Sequence, residues 1–216
     1  MRNPVNKIIV CLCVGLFLVM SACTGRNAGE TKQAANLPEI SCVAILPVLV
    51  PVSASATLTG ANKQALQDGA AFLDSLLLEK FDVKKEFRVL NENQLDAILG
   101  DPWGGRMAQI EAIGRATGCG AVLETSISRY RQRVGNEMSA EIPAAAAFSM
   151  ELLGVQTGTV LWSTSFDETQ KALFDDILSF SKAEKRGFKW LSVQELCRGA
   201  IDSRMDAFPY FHEEAI

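Results

Sequence analysis

Histidine is nearly absent from this 216-residue sequence: the only one is His212. No Ser-His-Asp or Cys-His arrangement can be assembled around it, which removes the commonest designs for an activated nucleophile. Cys42, Cys119, Cys197 and His212 would supply four zinc donors, but no two of them form the close-spaced pair that zinc sites use, and no metal is expected. There is no P-loop. Gly118-Cys119-Gly120 follows a helical pattern and precedes a strand pattern, the reverse of the order that a dinucleotide-binding glycine loop requires, so no cofactor is expected either. Basic residues are not in excess: 21 Lys and Arg against 25 Asp and Glu leave a net charge of −4, which argues against nucleic-acid binding. Carboxylates such as Asp175 and Asp176 are explained by a solvated helix face.

The N-terminus has a definite order. Arg2 and Lys7 supply positive charge, and the uncharged run from Ile8 to Met20 follows. At thirteen residues it is shorter than the roughly 20 that a bilayer-spanning helix needs. Small residues, Ser21 and Ala22, then stand before Cys23. That is the layout of a secretory signal. It resembles the bacterial lipoprotein signal, in which two small residues precede an obligatory cysteine; Met20 stands where leucine is usual. The resemblance implies cleavage after Ala22, diacylglycerol on the Cys23 thiol and an acylated amine, two anchoring signals that together hold a protein at a membrane without spanning it. Thr24 stands after the cysteine, and there is no Asp at that position to imply retention at the inner membrane, so the outer membrane, on its periplasmic side, is the expected address.

Cleavage would leave 194 residues, enough for one domain with a real core, and losing Arg2 and Lys7 takes the charge to −6. Residues 23–40 are polar and rich in small side chains, and are expected to act as a flexible tether. The folded domain is expected over 41–212. Cys42 to Val50 is a continuous apolar run suited to a strand covered on both faces, with Pro47 and Pro51 ending its ladder or placing it near an edge. Leu66, Ala70, Leu73, Leu77 and Phe81 recur at helical spacing and predict a helix over 62–80. Glu86–Leu90 reads as a short strand. Asn91 with Gln94 forms a capping box for a helix carrying Leu95, Ile98 and Leu99, and Asp101–Gly105 reads as a turn. A further helix with Met107, Ile110 and Ile113 stops at Gly118. Strands follow over 121–130 and at Phe148–Leu152. A turn at Gln156-Thr157-Gly158 leads into Thr159–Phe166, where Val160, Trp162, Thr164 and Phe166 share a face. Two helices close the chain, one with Leu173, Phe174, Ile177 and Leu178, the other capped by Ser192 and Glu195. Crossovers in the first half require parallel pairing, and the late hairpin requires antiparallel pairing. The predicted architecture is a single α/β domain with one mixed sheet flanked by helices.

Four phrases, VAILPV, EFRVLNENQLDAILG, IGRATGCGAVLETSISRY and MELLGVQTGTVLWS, together resemble the envelope lipoproteins related to the curli secretion factor CsgG, to the penicillin-binding-protein activator LpoB and to the TolB N-terminal domain. The resemblance covers roughly residues 42–166. It implies a periplasmic domain that binds other envelope components, with an envelope protein or peptidoglycan-associated complex as partner and no enzymatic activity. An oligomeric secretion-channel subunit is the alternative, and an unrecognised hydrolase a third. The Ser128–Ala140 segment is dense in charge and unsuited to a lipid-facing barrel.

Two further features stand out. Arg129, Arg131 and Arg133 alternate, so on an extended strand they project from one side with Tyr130 on the other, either as a solvated hairpin tip or as a contact for an anionic partner. With Cys11 and Cys13 removed and Cys23 lipidated, three thiols remain, which allow at most one internal disulfide. Cys42 and Cys119 each precede a predicted strand. If those strands are adjacent and parallel, the two thiols lie at one end of the sheet, either bonded or as two small buried residues.

Overall fold

The computed structural model describes residues 39–52, 60–100, 104–170 and 190–210. The expected signal, Cys23, the tether up to Pro38, Ser53–Thr59, Asp101–Trp103, the Leu173–Leu178 helix and His212 lie outside them.

The apolar run after Ser41 forms β1 (Val43–Ile45), which is shorter than the sequence pattern suggests. Proline has no N–H to donate, so the ladder breaks at Pro47. It resumes as a single parallel bridge between Leu49 and Ser126, where the Leu49 amide donates to the Thr125 carbonyl at 2.9 Å. The prolines thus end the ladder without placing β1 at an edge. It lies second in a five-stranded sheet ordered β2-β1-β3-β6-β7. Here β2 is Phe87–Val89, β3 Ala121–Arg131, β6 Ala145–Gly154 and β7 Val160–Thr169. Strand β1 runs parallel to β2 and β3, whereas β3–β6 and β6–β7 are antiparallel. The sheet is mixed, as the crossover and hairpin arguments require. A separate two-stranded ribbon, β4 (Val134–Gly135) with β5 (Ala140–Ile142), leaves the sheet between β3 and β6.

Helix α1 (Ala61–Phe81) buries Leu66, Ala70, Leu73, Leu77 and Phe81, the residues whose spacing predicted it. Together with α4 (Val193–Met205) it covers one face of the sheet. Leu73, Leu77, Leu123, Ile127, Met150, Leu196 and Ile201 belong to that core. The side chains of Phe81, Phe87, Trp162 and Phe208 pack edge-on or tilted around the end of α4, with Phe208 5.0 Å from Trp162. On the other face, α2 (Glu92–Leu99) and α3 (Arg106–Thr117) cover the parallel end, where Ile110 and Ile113 meet Ala44, Leu46, Val122 and Leu153. Leu95, Ile98 and Leu99 face this second core but remain only partly buried. Among the described residues no helix is long and apolar enough to cross a membrane.

The local signals hold in detail. Both capping boxes form: Asn91 accepts from the Gln94 amide at 2.9 Å, and Ser192 from the Glu195 amide at 3.2 Å. Gly118 ends α3 in the left-handed region, φ 72°, which glycine enters without a Cβ clash. One expectation fails. Val160 does not share a face with Trp162, because a register shift between Leu152 and Leu153 makes Trp162 oppose Leu152 while Val160 opposes Leu153. The extra residue, Leu161, turns Val160 to the opposite face, leaving it 43% exposed.

Candidate functional site

The second half of the sheet carries a polar face that α2 and α3 do not pack over, although the first residue of α3 reaches it. Its character is set by a bulge. Along β3, Ala121, Leu123, Thr125 and Ile127 face the main core, and strict alternation would send Arg129 after them. The register shifts between Ile127 and Arg129, so Ile127 opposes Phe148 whereas Arg129 opposes Ala147. Ser128 is the extra residue. Beyond it, Arg129 and Arg131 share the polar face and Tyr130 turns into the core, where burial, followed by the charges of Cys197 and Asp68, pushes its phenol up to about 12. Of the three alternating arginines the structure therefore brings two together. Arg133 lies past the end of β3, where its guanidinium donates to the Trp190 carbonyl. Its neighbour Gln132 accepts from the Val193 amide at 3.0 Å, so this stretch fastens the start of α4. Arg129 pairs with Asp167 of β7, and Arg131 is exposed with its Nε donating to the Pro143 carbonyl at 3.3 Å.

The same face carries Glu124 of β3 directly opposite Glu151 of β6. Two carboxylates in register repel. Arg106, at the first position of α3, resolves the conflict: its Nη2 lies 2.6 Å from each carboxylate, and the two hydrogen bonds hold its guanidinium more firmly protonated than usual. Next along the strands, Ser126 and Ser149 share a hydrogen bond of 2.9 Å. On β7, Ser163, Ser165, Asp167 and Thr169 are exposed. The face is thus a ladder of serines and ion pairs in fixed register. Arg106 carried no signal in the sequence, because its role depends on two strands that meet only in the folded chain.

At the opposite end of the sheet, Cys42 and Cys119 stand just ahead of the parallel strands β1 and β3 and are joined as a disulfide, with Cα atoms 4.6 Å apart. Cys197 is free and buried on α4, and burial raises its thiol to about 12. It belongs to the core on the other face of the sheet from the disulfide, so the three sulfurs do not converge. Among the described residues no group of three His, Cys, Asp or Glu side chains could hold a metal ion.

No protein-family model matches the sequence, and no curated protein matches it. Distant likenesses occur among solved structures. The PelC dodecamer from Paraburkholderia phytofirmans is 17% identical with a TM-score of 0.37, over 60% of this chain and 72% of that one. The LpoB C-terminal domain from Escherichia coli is 19% identical at a TM-score of 0.36, over 64% of this chain and 90% of that one. Lipoprotein GNA1162 from Neisseria meningitidis is 13% identical at 0.35, over 68% and 96%. TM-scores below 0.5 mark a likeness too loose to carry function from those proteins to this one. The structure defines the class: an α/β domain built on one mixed sheet, with one polar sheet face that none of the described helices packs over.

Proposed function

We propose that the protein is an exported lipoprotein of the bacterial envelope whose folded part works by binding other envelope components and not by catalysis. Residues 1–22 are the signal, Cys23 carries the lipid, 23–40 are the tether, and 41–212 are the periplasmic domain, held on the inner side of the outer membrane. The Ser21-Ala22-Cys23 sequence behind the Ile8–Met20 run supports the anchor, and the Cys42–Cys119 disulfide suits an oxidising compartment.

One observation carries the choice of binding over catalysis: the polar groups of the open face are tied to one another. Glu124 and Glu151 share Arg106, and the Ser126 and Ser149 hydroxyls meet each other and, among the described residues, no base. A general base or activated nucleophile needs a different arrangement. Arg131 is exposed and bonded to a neutral carbonyl, which leaves its charge available to an anionic partner such as an acidic protein surface or peptidoglycan carboxylates. Arg129 and Arg133 flank it.

Two experiments test the reading. Cells fed a labelled fatty acid should label the protein, and Cys23→Ala should release it from envelopes; an unlabelled protein refutes the anchor. Replacing Arg129, Arg131 and Arg133 by Glu should abolish in-cell crosslinks to the envelope partner, whereas an unchanged crosslink pattern refutes the arginine contact. A second reading, a subunit of an oligomeric secretion channel, has one observation in its favour: among the described residues β7 is paired along one edge only over ten residues. It predicts a ring on native gels. The β4–β5 ribbon does not support a pore, since strands of two and three residues fall short of the roughly 9–11 needed to cross a bilayer.

A further inference from the structure

A cavity of about 480 Å³ lies at the carboxyl ends of β1 and β2, between α1 and the start of α2. Its size falls in the range of small-molecule sites, and the carboxyl ends of parallel strands are where open α/β sheets bind ligands. Apolar walls come from Leu46, Leu77, Leu78 and Val89. Leu78 is 47% exposed on a helix that otherwise buries its leucines at this level, so an apolar group entering the cavity would cover it.

The charged groups of the cavity, Asp74 and Glu92, are of one sign. Asp74, half-buried on α1, spends its Oδ1 on the Val48 amide at 2.8 Å, which leaves Oδ2 for another donor. Burial raises its pKa, and the charge of Glu92 across the cavity raises it further. No Lys, Arg or His is among the described lining residues. A carboxylate that is desolvated, faced by a second carboxylate and given no cation gains more than a solvated one when a positive group arrives. Asn93 adds an amide at the rim. From the apolar walls and the uncompensated Asp74 we infer that this cavity binds a small alkylammonium group, its ammonium on Asp74 Oδ2 and its aliphatic chain against Leu46, Leu77 and Leu78. A free amine and a lysine side chain share that chemistry.

The test uses the full-length protein in nanodiscs, titrated with 1-pentylamine, 1-pentanol, pentanoate and N-acetyl-lysine methylamide, while the backbone amide signals of Val48, Asp74 and Asn93 are followed by NMR. Pentylamine should shift them saturably, and pentanol and pentanoate should not. Binding of the lysine derivative at least as tight as that of pentylamine assigns the site to a protein side chain; weaker binding assigns it to a free amine. Asp74→Asn keeps an oxygen for the Val48 amide and should weaken binding at least tenfold. Glu92→Gln, an exposed position, should weaken it a few-fold and serves if Asp74→Asn fails to fold. Equal binding of pentanol, no saturable shift with either ammonium compound, or no weakening in the variants overturns the assignment. The signals followed lie at the cavity, so these outcomes do not depend on the arginine contact, and an anchor that fails shows separately as protein that does not enter the nanodiscs.

Discussion

Breaking the Cys42–Cys119 bond should lower the stability of the folded domain by about 2–4 kcal/mol, with a ceiling that can be worked from the chain. The sequence separation is 77, and the loop-closure entropy removed from the unfolded chain by a cross-link of that span corresponds to about 4.5 kcal/mol. The folded side adds little beyond the bond. Both cysteines are already buried in the second core, and their strands are held by ladder pairs from Val43–Ile45 to Ala121–Leu123. For a domain of this size each kcal/mol moves the melting temperature by about 2–4 °C, so reduction should lower it by roughly 4–16 °C. The assay is a far-UV circular dichroism melt with and without a phosphine reductant. Cys42→Ala and Cys119→Ala should each lose nearly the whole increment, and the double variant scarcely more, because one cross-link can be removed only once. Reductant should leave all three variants unmoved. Identical melts for the oxidised and reduced protein, or peptide mapping that finds both thiols free in protein taken from cells, would refute the reasoning.

Four other outcomes follow from named contacts. Arg106→Gln should cost about 1 kcal/mol, modest because the side chain is 54% exposed, and Glu151→Gln in the same chain should restore most of it; urea titrations at low and high salt decide, and a loss that Glu151→Gln does not restore counts against the repulsion argument. Among the described residues the buried Thr125 hydroxyl has no hydrogen-bond partner, so Thr125→Val should raise the stability read from urea titrations by about 1 kcal/mol, and a lower stability would show that the hydroxyl is satisfied. Gly69→Ala should destabilise by about 1–3 kcal/mol despite alanine's helix preference, because its Cβ would lie 2.6 Å from the Tyr130 ring, and an unchanged thermal melt would show that the ring yields freely. Cys197 and Tyr130 are neutral acids whose folded values, about 12, lie above 9.0 and 10.0, so their contribution is complete below about pH 9 and fades as the pH rises toward 12; Cys197→Ala should show a shallower alkaline loss in urea midpoints, and an equal slope would remove Cys197 from the account.

Where one residue's environment is local, the sequence is a sufficient guide. Helix α1 follows from its apolar spacing, α2 and α4 from their capping boxes, and the end of α3 from Gly118. The parallel and antiparallel halves follow from connection lengths. What escapes depends on residues far apart in the chain. Ala145–Ala147 belong to β6, but alanine has little preference for strands, and it is the pairing with Arg129–Arg131 on one side and Asp167–Thr169 on the other that draws these residues into the ladder. The bulges at Ser128 and Leu161 leave no pattern in composition, and each reverses the faces of the residues beyond it. Arg106 looks like an ordinary first-turn residue until Glu124 and Glu151 meet below it. The cysteine pair lay between these cases: the strand positions put the two thiols at one end, while bond or no bond turned on a spacing that only the folded backbone fixes.

The open face and the main core are consequences of one irregularity. Had β3 kept strict alternation past Ile127, the Arg129 guanidinium would have been driven against α1 and Tyr130 left in water, an exchange that buries a charge and exposes an aromatic ring. The bulge at Ser128 reverses both. It can do so only because α1 offers Gly69, whose missing Cβ is the space that the Tyr130 ring occupies. A larger residue at 69 would press the ring outward and work against the bulge, and with it against the placement of Arg129 beside Asp167 and of Arg131 toward solvent. A glycine on one side of the sheet thus helps to set the charge pattern on the other, which couples the arginine contact to core packing and makes the two separable only by measuring stability and partner binding on the same variants.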